Sequence, residues 1–205
     1  YNTGSRNAKG GLAVDNVLTI AEERLNLFAH MANSACGLSL WCFGMKKQLY
    51  TCTCPAEKEF RLFLDLGQCL DYAIAHGPES HAPILMSDPI GMLWVAECVW
   101  HGDDASYLVI LGPVFDAAAS LQTLQNCLRG MNLSVSLTAT IMEKLEQVPI
   151  LPLSTLHQYI KMLHWVLYEE TLDVGSIRLQ NRSNIIPDKE KSPYPWDPDR
   201  ARVVE

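Results

Sequence analysis

The stretch HAPILMSDPIGMLWVAECVWHGDDASYLVILGPVF, residues 81–115, decides the fold. Gly91 and the pair Asp103–Asp104 punctuate it. Around them lie three β-like runs, Pro83–Met86, Met92–Val99 and Tyr107–Leu111. The stretch closes on Leu111-Gly-Pro-Val-Phe115, at the mouth of a helix. Strands in direct succession, with helical sequence before and after, predict an antiparallel sheet under helical cover. That design suits a pocket for a small molecule better than a catalytic centre.

Upstream, Leu38–Phe43 and Gln48–Cys54 flank Gly44-Met-Lys-Lys47 and read as a hairpin, stopped by Pro55. The total expected is five strands in an α+β domain. Val14 to Asn33 carries apolar residues at Val14, Leu18, Ala21, Leu25, Phe28 and Ala32, steps of 4, 3, 4, 3 and 4 that mark one helix face. Gly37 is the expected stop. A second helix is predicted over Glu57–His76, broken by Gly77-Pro78. Downstream, Asp116–Leu128 and Ser136–Glu146 read as helices, with Asp116 favoured near an N-terminus and Ser136 available as a cap.

The last helix, roughly Ser154–Thr171, carries Leu153, Leu156, Ile160, Leu163 and Leu167. The steps of 3, 4, 3 and 4 are coiled-coil spacing. A seam this short either packs on the sheet or makes a dimer contact. Pro187, Pro193, Pro195 and Pro198 then stand among charged residues, a composition that cannot bury enough apolar surface to fold alone. The organisation expected is a loose leader over 1–13, one domain over 14–180 and a linker over 181–205.

Composition narrows the function classes. Among 205 residues, 16 Lys and Arg stand against 23 Asp and Glu, a net charge of −7. The basic residues are scattered, which argues against nucleic-acid binding by this chain. No run of about 18 apolar residues announces a membrane span. The seven cysteines sit mostly in apolar segments, the usage of a reducing compartment, so a cytoplasmic protein is expected.

Chemical motifs are sparse. Cys52-Thr-Cys54 places two sulfurs on one strand face. A zinc site needs about four ligands, and no second C-x-x-C or H-x-x-x-H pair is present, so the two read as structural cysteines. Neither a G-x-S-x-G elbow nor a phosphate-binding glycine loop occurs. No metal and no cofactor are expected. Asp88-Pro89 and Asp103–Asp104 read as turn chemistry. Glu97 shares a strand face with Leu93, Val95 and Val99, either exposed or as an inward polar anchor. Trp41 and Phe43 share a face of the first strand, Trp94, Cys98 and Trp100 share one further on, and Tyr107 adds a hydroxyl. Ligand pockets are mostly apolar with a few placed polar groups, so the candidate binding set is Trp41, Phe43, Trp94, Glu97, Cys98 and Tyr107. Plain core packing is the competing reading. A small enzyme with a site around Glu97, Cys98 and His101 is the alternative of another class.

The order of elements resembles the N-terminal sensory domain of arabinose-regulator (AraC) type bacterial transcription factors, which are similar to PAS and GAF sensor domains. The resemblance rests on the opening helix, the hairpin Leu38–Cys54, the segment Ser87-Asp-Pro-Ile-Gly-Met-Leu-Trp94 and above all Tyr107-Leu-Val-Ile-Leu-Gly-Pro-Val-Phe115. Val148-Pro-Ile-Leu-Pro152, followed by a long helix, also fits. It covers about residues 14–180. It implies a five-stranded antiparallel sheet of PAS/GAF-like type, with long N- and C-terminal helices. It further implies an unknown small-molecule ligand, a homodimer formed through helices, and DNA contact only through a helix-turn-helix domain that this chain lacks. No ligand residue carries over by motif.

Overall fold

The computed structural model describes residues 11–101, 104–117, 121–131 and 133–180. Among the described residues, six strands form one open sheet: β1 (Leu40–Gly44), β2 (Leu49–Cys52), β3 (Ile84–Ser87), β4 (Leu93–His101), β5 (Asp104–Val114) and β6 (Arg178–Leu179). Their order across the sheet is β2-β1-β5-β4-β3-β6. The stretch quoted above supplies the meander β3-β4-β5, with Leu85 opposite Val95 and Ala96 opposite Ile110. The hairpin β1-β2 joins through Trp41, which lies opposite Ile110. The leader, the linker and the Gly102–Asp103 turn all involve positions outside the described residues.

Two expectations need correction. The sheet is mixed rather than five-stranded and antiparallel: β6 pairs parallel to β3, Ile84 opposite Arg178 and Leu85 opposite Leu179. The N–H groups of Arg178 and Gln180 donate to the carbonyls of Pro83 and Leu85, both at 2.9 Å, occupying an edge that β3 would otherwise leave open. The domain also does not close on a long terminal helix. The helix over Leu153–Tyr168 (here α6) stops at Glu169, which takes the left-handed conformation at φ 57°, and the chain then returns to the sheet.

The helices before α6 are α1 (Gly11–Cys36), α2 (Glu57–Leu66), α3 (Cys69–His76), α4 (Leu121–Gly130) and α5 (Val135–Leu145). Gly37, at φ +74°, ends α1 by donating its N–H to the Asn33 carbonyl at 2.8 Å. The single helix expected over Glu57–His76 is two, because Gln68 turns left-handed at φ 52° between Leu66 and Cys69. α5 is capped by Ser134, not Ser136; the Ser134 hydroxyl accepts from the Leu137 N–H at 3.2 Å.

Helices cover both faces of the sheet. On one face Trp41, Phe43, Trp94, Ala96, Cys98, Leu108 and Ile110 pack with buried residues of α2 to α5. On the other, Leu40, Cys42, Val95, Val109 and Leu111 pack with Leu25, Phe28 and Ala32 of α1 and Leu156, Ile160 and Leu163 of α6. The coiled-coil spacing on α6 is therefore spent on the sheet.

The Gly-Pro step in β5 has a steric reason. Gly112 sits at φ +133°, and a Cβ there would meet the Leu93 carbonyl oxygen at 2.9 Å. The bare backbone also presents its carbonyl to the Trp41 indole N–H at 2.8 Å. Only glycine combines that conformation with that approach.

Candidate functional site

The six residues proposed from sequence do not share one pocket, because alternation along the strands divides them. Trp41, Phe43, Trp94 and Cys98 face the α2–α5 layer. Tyr107 lines the α1–α6 side, and Glu97 faces α6 through its contact with His164. The aromatic members fill the core. Trp41 stacks on Phe43 at 6.2 Å between centroids and meets Trp94 edge-on at 6.0 Å. All three are fully buried.

Trp94 is held by Asp88, which the sequence presented only as turn chemistry. Asp88 is 1 % exposed. One carboxylate oxygen accepts from the N–H groups of Ile90 and Met92 at 3.1 and 3.0 Å, and the other from the Trp94 indole at 3.0 Å. Burial pushes the Asp88 carboxyl up to about 7, against the pull of those donors. This group ties the β3–β4 turn to the core.

Glu97 is the inward anchor, 1 % exposed, and its partner is His164 of α6. One carboxylate oxygen meets the His164 Nδ1; the other, Oε2, has no hydrogen-bond partner among the described residues. Burial raises the Glu97 carboxyl above its ordinary range, while His164 draws it down. One turn further along α6, the Tyr168 hydroxyl donates to the Cys98 carbonyl, where β4 runs past the start of β3 at Ile84. Two polar contacts thus fasten the C-terminal half of α6 to β4. His101, at the end of β4, is exposed. Glu97, Cys98 and His101 therefore do not converge.

The start of α6 is fastened as well. Phe115, just past β5, bridges to Ile150: its N–H donates to the Pro149 carbonyl at 2.9 Å, and its carbonyl accepts from the Leu151 N–H at 2.8 Å. Beside this bridge opens a cleft of about 200 Å³. Its walls include Asn33 at the end of α1, Ser39 before β1, Cys54 and Phe60 around the start of α2, and Gln147 and Pro149 on the segment leading into α6.

Cys54 is the chemically distinctive residue of that cleft. Cys52, the Ala56 N–H and Ser39 lie on the side of its sulfur that favours the thiolate. Together they lower its thiol to about 7 against burial and the nearby Glu59 carboxylate. Cys52 moves the opposite way, held protonated as the donor to Cys54 and by burial. The Cys54 N–H in turn donates to the Cys52 sulfur at 3.2 Å. Sequence reading found the pair by its spacing but gave it no chemistry, because Ser39, thirteen residues before Cys52, is brought in only by the hairpin.

Among the described residues no group of three or more His, Cys, Asp or Glu side chains is placed to hold a metal ion, and no helix is long and apolar enough to cross a membrane. No protein-family model, curated protein or solved structure matches the chain.

Proposed function

We propose that this chain is the ligand-sensing and dimerising domain of a bacterial transcription regulator of the arabinose-regulator type, with DNA contact left to a separate helix-turn-helix part. The observation that carries this reading is the position of the cleft. It touches the C-terminal end of α1 and the segment entering α6, and these two helices pack together on the far face of the sheet. A molecule in the cleft presses on both. Its volume suits a small metabolite rather than a drug-sized ligand.

The mechanism is a shift between two placements of α6. The Phe115–Ile150 bridge fixes the start of the helix to β5, and His164 and Tyr168 fix its far half to β4. A ligand that binds one placement better than the other shifts the population by that difference alone. The homodimer belongs on the same side: α1 and α6 leave Leu27, Met31, Met162 and Trp165 exposed. Catalysis around Glu97, Cys98 and His101 has weaker support, since the strand points the first two to opposite faces.

A thermal-shift screen of small polar metabolites tests this, run on the wild type and on Gln147→Trp, which fills the cleft from an exposed position. A ligand at a hundredfold its Kd adds about 2.7 kcal/mol. The expected result is a metabolite that stabilises the wild type and not the variant. Equal stabilisation of both would remove the cleft as the input, and no stabilisation by any metabolite would leave a constitutive dimerisation module.

A further inference from the structure

We infer that the cleft beside the Phe115–Ile150 bridge takes a compact, uncharged, amide-like molecule and turns away carboxylates, phosphates and ammonium ions. The inference rests on the reading of the cleft as the sensor's input and names the class of molecule that enters it.

Size and lining set the class. At about 30 Å³ of liquid per water, the cleft of about 200 Å³ holds the equivalent of roughly seven waters, so a molecule of about ten non-hydrogen atoms or fewer fits. Its polar side chains are the amides of Asn33 and Gln147, the Ser39 hydroxyl and the Cys54 thiol. Phe60 and the prolines Pro55, Pro113 and Pro149 supply apolar wall. Among the described residues no Lys, Arg, His, Asp or Glu lines the space. Asn33 is half-buried and spends one N–H on the Leu38 carbonyl at 3.4 Å, which leaves its amide oxygen and its second N–H for a ligand. Ser39 is buried, so a group that reaches its hydroxyl leaves water. An amide carries a donor and an acceptor side by side and meets a second amide through two parallel hydrogen bonds.

Charge works against the other classes. An ion that enters the cleft gives up water, and only a well-placed partner of opposite charge offsets that loss. The start of α2 adjoins the cleft through Pro55 and Phe60, and a helix start favours an anion. Here that role is taken, because Glu57 and Glu59 stand in the first turn. Their carboxylates repel a second anion at the same place. Neither of them lines the cleft, so an ammonium ion gains no contact pair there.

The backbone carbonyls at hand are engaged as well. Ser39 and Pro149 accept from the N–H groups of Gly112 and Phe115, both at 2.9 Å. An uncharged molecule with one donor and one acceptor meets the side-chain amides without the loss an ion suffers. Asn33 belongs to the end of α1, and Gln147 stands on the segment leading into α6. A small amide bonded to both ties the two segments together.

The test titrates the isotope-labelled full chain with two matched sets of small molecules and follows the side-chain NH2 resonances of Asn33 and Gln147 by NMR. One set is benzamide, benzoate and benzylammonium; the other is isobutyramide, isobutyrate and isobutylammonium. The expected result is saturable shifts with the two amides and binding at least about tenfold weaker for their charged counterparts. Gln147 is exposed, so its charge can be changed without burying a new ion. Gln147→Lys should admit benzoate, and Gln147→Glu should admit benzylammonium, each read at Asn33. The wild-type titration needs no variant to fold. A carboxylate or ammonium that binds the wild type as tightly as its amide overturns the inference and keeps the cleft as an input. Charge variants that leave the order of binding unchanged also overturn it, since the lining would then not set the choice. Amides that move neither resonance overturn it too, and the metabolite screen on the wild type and Gln147→Trp then decides the sensor reading separately.

Discussion

Removing either member of the Glu97–His164 pair should cost far more than removing both. The Glu97 side chain is wholly enclosed and that of His164 is 6 % exposed. In His164→Leu the carboxylate loses its partner on Oε1 while Oε2 already has none. Breaking a buried pair from one side costs about 3–5 kcal/mol, because the surviving group stays buried and unsatisfied. Glu97→Leu orphans the imidazole Nδ1 and should fall in the same range. Replacing both by similar-sized apolar groups is often neutral or stabilising, so Glu97→Leu with His164→Leu should sit within about 1–2 kcal/mol of wild type. Urea unfolding followed by circular dichroism reads this directly. With a slope of roughly 2 kcal/mol per molar, each single variant should lower the midpoint by about 2 M and the double should barely move it. Additive single costs, or singles below about 1 kcal/mol, would mean that water reaches the pair, and the fastening of α6 to β4 would not be a sealed contact.

Further outcomes follow from other contacts. Asp88 rises from an ordinary 3.8 to about 7 on folding, so the folded state holds a proton that the unfolded state releases. Its stabilisation is complete below about pH 4 and is lost as pH rises toward 7, on the order of 4 kcal/mol at full linkage. Glu97, raised in the same direction, adds to the slope above its ordinary 4.5. Urea midpoints between pH 4 and 7 should therefore fall for the wild type and fall less for Asp88→Asn; an unchanged slope refutes the assignment. Gly112→Ala should destabilise by more than about 1 kcal/mol, since a Cβ at 2.9 Å from the Leu93 carbonyl meets backbone that cannot give way; a thermal melt within about 2 °C of wild type contradicts this. Tyr168→Phe removes one hydrogen bond to the Cys98 carbonyl, costs about 1 kcal/mol, and should speed amide exchange in the last turn of α6 while leaving Leu156 protected.

What the sequence made legible was local. Alternation and turn residues located β3, β4 and β5 within a few positions, and the Leu156–Ile160–Leu163 spacing marked the buried face of α6. β6 escaped because two residues carry no period; Arg178–Leu179 is a strand only through the edge of β3. The break at Gln68 escaped because the helical spacing runs across it, and the left-handed turn depends on how α2 and α3 meet the sheet. The site was less legible than the fold. Glu97 and His164 stand 67 residues apart, so the charge on the strand had no visible partner. Tyr107 and Trp94 were grouped by residue type, but register puts them on opposite faces. The pair Cys52 and Cys54 was visible as spacing, whereas the surroundings that lower the Cys54 thiol include Ser39 and Ala56, brought in by the hairpin and the helix start.

The measurement that bears most directly on the proposed sensor is hydrogen exchange by mass spectrometry, with the cleft empty and with it occupied by a stabilising metabolite from the screen. Coupled changes are expected in two segments the ligand does not cover, residues 22–32 of α1 and 156–168 of α6, together with the cleft walls at 33–39 and 147–149. Protection confined to the cleft walls, with the α1 and α6 segments exchanging at their original rates, would contradict the transmission of binding to those helices.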